Sequence, residues 1–234
     1  MDMWVSQPAI GAAGGLAAVP SPAYDLVIFD FDGTLADSVT WFASVVNDVA
    51  RRYRFKEATP EDLQALRNED ALSVLRHLEV AHWKIPFIAR HMRRLMAREI
   101  DKIALFPGVE DLLEDLSRAG VRLAIVSSNG PANVRKVLGP RTAALIDHLA
   151  CGASLFGKTA KFRAVLDQSD VPPQRVIAIG DEVRDIEAAT MAGIDSGTVS
   201  WGYATSSALA ARRPTVMFDT IAAIAPFILG RADG

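Results

Sequence analysis

Several short apolar runs in this chain stop abruptly at polar or acidic residues. Residues 26–29 and 176–179 carry no polar position, and residues 121–126 carry only Arg122 near their start. Runs of this length and composition predict strands buried on both faces of a parallel sheet. Residues 197–201 and 216–218 read as shorter strands, and residues 146–151 as one more apolar segment. Helical spacing fills residues 132–138, 161–168 and 206–212 between them. Strands alternating with helices predict an α/β fold: a doubly wound parallel sheet, a Rossmann-like core.

Residues 39–103 follow another pattern. Val39, Phe42, Val45, Val46 and Val49 recur at helical spacing after Ser38, which is placed to cap a helix over 39–53. Thr59-Pro60-Glu61-Asp62 has the form of a helix start, with a capping residue, proline in the first turn and acids behind it. Asn68-Glu69-Asp70 precedes a helical stretch over 71–78. Pro86 opens a longer one through Ile88, Met92, Leu95 and Met96 towards Ile100. No strand-like alternation interrupts them, so 39–103 reads as an all-helical cap inserted into a core made of 24–38 and 104–234. Residues 1–23, rich in Gly, Ala and Pro, read as a flexible leader without the basic start of a secretory signal.

Composition narrows the class of partner. The 234 residues are half hydrophobic with a net charge of −3, which argues against a nucleic-acid binder. No apolar run is long enough to cross a bilayer. The lone Cys151 cannot form an internal disulfide, so a cytoplasmic protein is expected, with Cys151 as a buried small hydrophobe. His77, His82, His91 and His148 lack the clustering of a zinc site. Arg51-Arg52-Tyr53-Arg54 and Arg90-His91-Met92-Arg93-Arg94 make the cap locally basic. Either these are solvated helix faces, or one arginine grips a substrate carboxylate or second phosphate.

The buried runs end in Asp30-Phe31-Asp32-Gly33-Thr34, Ser127-Ser128-Asn129-Gly130 and Gly180-Asp181-Glu182-Val183-Arg184-Asp185. Parallel strands present their carboxyl ends on one edge, so these clusters are expected to converge. Two carboxylates one residue apart are costly unless a metal or a shared proton relieves them. Gly33 permits the sharp turn that follows.

Asp30-Phe31-Asp32-Gly33-Thr34-Leu35 resembles the first signature of the haloacid dehalogenase superfamily of hydrolases in its phosphatase form. Ser127, Lys158 and Gly180-Asp181-x-x-x-Asp185 match the superfamily's other three motifs, and the helical insertion is similar to its small cap. Leu105-Phe106-Pro107-Gly108, Gly193-Ile194 and Trp201-Gly202-Tyr203 look like the phosphoglycolate phosphatase-like branch. There are two departures. Thr159 follows Lys158 where that branch often has proline, with Lys161 one helical turn on as an alternative active-site lysine. Glu182 stands where a smaller residue is common and reads as a solvated acid at a helix start.

These clusters suit phosphoryl transfer, which needs a nucleophile, an acid for the leaving oxygen and donors around the equatorial oxygens. Asp30 would be the nucleophile and Asp32 the general acid and base. Ser127, helped by Ser128 or Asn129, would hold a phosphate oxygen. Lys158, in a loop after Gly157, would neutralise charge. Asp30, Asp181 and the Asp32 backbone carbonyl would hold Mg2+. Thr34 would order the turn, and Asp185 would support the lysine or a metal-bound water. The expected activity is hydrolysis of a small phosphate ester through an aspartyl-phosphate, by a monomer or homodimer. A sugar phosphomutase and a non-catalytic binding protein are the alternatives.

Overall fold

The computed structural model describes residues 21–66, 71–152 and 157–231. Most of the expected leader and the helix start at 68–70 lie outside the described residues. Six parallel strands form one sheet: β1 (Leu26–Phe29), β2 (Arg122–Val126), β3 (His148–Ala150), β4 (Val176–Gly180), β5 (Asp195–Val199) and β6 (Val216–Phe218). Their order is β3-β2-β1-β4-β5-β6. β1 therefore pairs with β2 on one side and β4 on the other, in register from Leu26 to Phe29. The reversal of strand order beside β1 opens the crevice where doubly wound sheets take ligands.

Because β1 and β4 are apolar at every position before their ends, both faces of the sheet can be buried. On one face Val27, Phe29, Leu123, Ile125, Ile177 and Ile179 join α5 (Val109–Arg118), α6 (Pro131–Ala143) and α10 (Ile224–Ile228). On the other, Leu26, Ile28, Ala124, Val126, Val176 and Ala178 meet α7 (Lys158–Ser169) and α8 (Val183–Ala192). The remaining core helix, α9 (Ser206–Ala210), sits between β5 and β6 in the chain. α6 is broken at Gly139-Pro140, where Gly139 leaves helical geometry.

The insertion is helical throughout its described residues: α1 (Ser38–Tyr53), α2 (Pro60–Leu66), α3 (Ala71–His77) and α4 (Ile85–Arg98), with short 3-10 turns after α3 and α4. Its own small core holds Ala58, Leu78 and Val80. α1 and α4 instead extend the main core through Trp41, Val45, Met92, Leu95 and Met96. The two crossings between insertion and sheet lie side by side, joined by an antiparallel bridge between Ala36 and Leu105 and by the Asp37 N–H donating to the Ala104 carbonyl at 2.9 Å.

Several expectations shift in detail. Asp37, not Ser38, caps α1, accepting from the Thr40 N–H at 3.4 Å, and Ser38 is buried. Trp41 replaces Val39 and Phe42 among the buried positions of that helix. α2 starts as read, with Thr59 and Asp62 bonding each other's backbone N–H. Lys158 is the first residue of α7 rather than a loop residue, and Gly157 is the cap. Cys151 is only partly buried, against the edge of the main core. Pro22 and Ala23, in the expected leader, accept hydrogen bonds at their carbonyls from the Arg175 guanidinium.

Candidate active site

Three strand ends meet beside β1. Asp30 follows β1 directly, its N–H donating to the Ile179 carbonyl at 2.8 Å, and its carboxylate is buried. Lys158 Nζ reaches Asp30 Oδ2 at 2.9 Å and also pairs with Asp185 Oδ1. A cation at a helix N-terminus opposes the helix dipole, so α7 tolerates Lys158 there only because two carboxylates face it. Burial works against the ammonium, but Asp185 and Asp30 outweigh it and hold Lys158 above the ordinary lysine value. Asp30 is pushed up by burial and by Asp185, against the pull of Lys158.

Asp32 faces the other way. Its Oδ1 accepts from Asn129 Nδ2 at 3.2 Å, and its Oδ2 from Ser127 Oγ at 3.3 Å. Burial and then the charge of Asp30 lift its carboxyl to about 6, while the Asn129 and Ser127 bonds hold it down. A carboxyl poised there exchanges a proton near neutrality. Ser127 Oγ in turn accepts from the Asn129 N–H at 2.9 Å, which sets the loop after β2. Ser128, half-buried beside them, makes no side-chain hydrogen bond among the described residues.

Asp181, at the end of β4, is fully buried. Thr34 Oγ1 donates to its Oδ1 at 2.8 Å and the Tyr203 N–H to its Oδ2 at 2.7 Å. The Thr34 hydroxyl thus holds Asp181 directly. Burial raises the Asp181 carboxyl well above its usual range, and Glu182, Asp30 and Asp185 add to the rise. Gly33 turns the chain with φ of +81°, and a Cβ there would overlap Asp181 and the Tyr203 ring. Oxygen atoms of Asp30, Asp181 and Asp185 all lie within 4.8 Å of one another. Three buried carboxylates crowded so closely could hold a hard divalent cation. Asp185 joins this trio, whereas the Asp32 carboxylate is committed to Ser127 and Asn129, which leaves its backbone carbonyl for the expected ligand role.

Lys158 and Lys161 are distinguished by geometry. Lys161 sits one turn further along α7 and gives its ammonium to the Ser127 and Gly152 carbonyls, both at 2.7 Å. Arg184 was not singled out by the sequence. It pairs with Glu182, and although burial opposes its charge, Glu182, Asp185 and Asp30 hold it above its ordinary value. The signal was its position inside Asp181-x-x-x-Asp185, one residue before a carboxylate of the site. Glu182 heads α8 as read, but its pairing with Arg184 makes it part of the charge network rather than a solvated acid.

The cap covers this edge with α1 and α4. Met96 Sδ accepts from Asn129 Nδ2 at 3.0 Å, the Ser38 and Tyr203 hydroxyls lie 3.1 Å apart, and Phe42 stands edge-on to Tyr203. Trp201 donates its indole N–H to the Thr34 carbonyl at 3.2 Å. Arg51 is tied to Asp48 and Glu57, and Arg52, Arg54, Arg90, Arg93 and Arg94 are exposed, as on a solvated face. No helix among the described residues is long and apolar enough to cross a membrane.

Comparison with known proteins places this geometry. The phosphoglycolate phosphatase of Synechococcus elongatus is 29% identical over 197 residues, covering 83% of this chain and 92% of that one. The tyrosine-protein kinase PtkA of Mycobacterium tuberculosis is 30% identical over 197 residues, covering 80% of this chain and 66% of its own. The crystal structure of CbbY from Rhodobacter sphaeroides in complex with phosphate superimposes with a TM-score of 0.67 at 25% identity, covering 85% and 95%. The model of the haloacid dehalogenase-like hydrolases matches residues 27–199, a span that begins in β1 and ends with β5 and includes every carboxylate described above. With that match over a sheet of this order and carboxylates at these strand ends, the chain belongs to the haloacid dehalogenase-like hydrolase family.

Proposed function

We propose that this phosphatase is a Mg2+-dependent phosphomonoester hydrolase that works through an aspartyl-phosphate on Asp30 and acts on a small phosphorylated metabolite. One observation carries the reading: the opposed environments of Asp30 and Asp32. Asp30 is buried and clamped by Lys158, so its carboxylate is held in one position as a nucleophile. Asp32, two residues on, is lifted to about 6 and held by Ser127 and Asn129, as a proton carrier requires.

In the first step an Asp30 oxygen bonds to phosphorus as the ester P–O bond breaks, and Asp32 gives its proton to the leaving oxygen. In the second, Asp32 takes a proton from water as the water oxygen bonds to phosphorus, and the acyl phosphate P–O bond breaks to return the Asp30 carboxylate. Ser127 and the Asn129 amide lie beside Asp32, placed to donate to phosphoryl oxygens, with Ser128 next to them. Lys158 offsets the negative charge of Asp30 and of the phosphoryl group. Asp30, Asp181 and the Asp32 backbone carbonyl would hold Mg2+, with Asp185 orienting Lys158 beside them. The ion supplies positive charge to the transferring phosphoryl group.

Phe42, Met96 and Tyr203 beside the site offer apolar contact, which suits a small substrate enclosed with water excluded. The phosphoglycolate phosphatase relatives make 2-phosphoglycolate the first metabolite to test. The proposed units are a cap over 39–103 and a core over 24–38 and 104–234. Hydrolysis of an aryl phosphate and of 2-phosphoglycolate, with Mg2+ and with chelator, tests the reading. Turnover is expected to need Mg2+ and to fall at least about a thousandfold in Asp30→Asn. Full activity in Asp30→Asn would overturn the mechanism.

A further inference from the structure

Beyond the residues assigned above, Lys161 closes a ring of bonds that no catalytic role uses. Its Nζ donates to the Ser127 carbonyl and to the Gly152 carbonyl, both at 2.7 Å. The Gly152 N–H donates to the Asn129 carbonyl at 2.9 Å, and the Asn129 N–H to Ser127 Oγ at 2.9 Å. The loop after β2 and the start of the loop after β3 are thus held together by one ammonium on α7. The same helix presents Lys158 to Asp30 one turn earlier.

We propose that Lys161 is a positioning residue for phosphate binding, fixing Ser127 and Asn129 where their side chains meet the phosphoryl oxygens; this rests on the hydrolase reading given above. The physical reason lies in where the two loops are anchored. Among the described residues the loop after β2 has two backbone bonds to β3 and the residues just after it, from the Ser127 N–H to the Ala150 carbonyl at 3.3 Å and from the Gly152 N–H to the Asn129 carbonyl at 2.9 Å. The carbonyls of Ser127 and Gly152 both turn to the same cation. Two charge-assisted bonds from one ammonium are stronger than the neutral bonds they replace. An ammonium used this way leaves Lys158 to face the nucleophile. Lys161 therefore acts through the Ser127 and Asn129 donors and makes no contact with Asp30.

The test compares Lys161→Met, Lys161→Arg and Lys158→Met in two assays on the intact protein with Mg2+. One is steady-state hydrolysis of an aryl phosphate. The other is the affinity for inorganic phosphate, read from the rise in Tm with phosphate concentration, which needs no turnover. Lys161→Met, which removes both carbonyl bonds and acts on phosphate only through Ser127 and Asn129, is expected to weaken phosphate binding and raise KM about tenfold while kcat stays within about threefold. Lys161→Arg, which keeps a multi-donor cation, is expected to restore most of both. Lys158→Met should instead lose kcat. A Lys161→Met protein with wild-type phosphate affinity and KM would overturn the proposal. So would one that loses kcat as Lys158→Met does with KM unchanged, since Lys161 would then act on the reaction itself. If Lys161→Met proves too unstable to assay, Lys161→Gln, which keeps two donors without the charge, decides on the same two readouts. A wild-type protein inert towards every ester but still binding phosphate would sink the hydrolase reading, while the phosphate arm would still judge Lys161.

Discussion

Two carboxylates two residues apart suit the opposite duties proposed for them because their neighbours differ. Asp30 meets a cation, while Asp32 meets only neutral donors and so stays near the point where it can trade a proton. This makes the role of Asn129 measurable. A hydrogen bond to the charged form of a carboxyl stabilises that form, so deleting the donor raises the pKa. In Asn129→Ala the Asp32 carboxyl, now about 6, is expected to rise. As general acid Asp32 must be protonated, so the alkaline limb of the kcat/KM profile should move to higher pH, by about half a unit to one unit. The whole profile should also drop, because a phosphate donor is gone. A limb that stays in place while activity falls would separate Asn129 from the proton carrier and leave it a binding residue only.

At the scale of elements, the sheet was legible because β1 and β4 leave no polar position to misread, and because each buried run breaks at a polar cluster. What failed were boundaries and partners. The Gly before Lys158 suggested a loop, yet with Asp30 and Asp185 opposite, a lysine is stable as the first residue of α7. Trp41 is buried where Val39 and Phe42 are not: its ring joins the main core and its indole N–H donates to Glu99 at 3.0 Å, a partner 58 residues away that periodicity does not show. Arg184 was passed over, despite its place inside the fourth motif, because only the folded turn brings it against Glu182. That turn is also where a small change should be felt. A Cβ on Gly180 would overlap the Asp185 carboxyl, which folds back to accept from the Glu182 N–H at 3.0 Å and to hold Lys158. Gly180→Ala is therefore expected to destabilise the protein by about 1–3 kcal/mol, the usual cost of overpacking. It should also lower kcat by displacing Lys158, seen by denaturant unfolding and by assay. An unchanged kcat at reduced stability would mean that Lys158 does not depend on Asp185.

For the whole molecule, crowding Asp30, Asp181 and Asp185 at one sheet edge means that the fold carries its own electrostatic cost. Asp30 and Asp181 sit above their ordinary values because burial and mutual repulsion favour the protonated forms. A carboxyl raised on folding adds stability at pH below its unfolded value and withdraws it as pH rises through its folded value. Without a divalent ion the protein should therefore lose stability from this site as pH rises above about 4, the ordinary aspartate value. Mg2+, as proposed, would reverse the balance by binding the ionised carboxylates of the folded state and not the dispersed ones of the unfolded chain. At a concentration about 100 times its Kd it would add about 2.7 kcal/mol. For a chain of 234 residues that corresponds to roughly 5–10 °C in Tm. The gain should be largest near pH 7.5 and shrink towards pH 5, where protons compete for the same oxygens. In Asp181→Asn it should vanish, with the apo protein's pH dependence flattened. Equal Mg2+ stabilisation of wild type and Asp181→Asn would place the ion elsewhere and leave the repulsion among these three carboxylates to be relieved by protons alone.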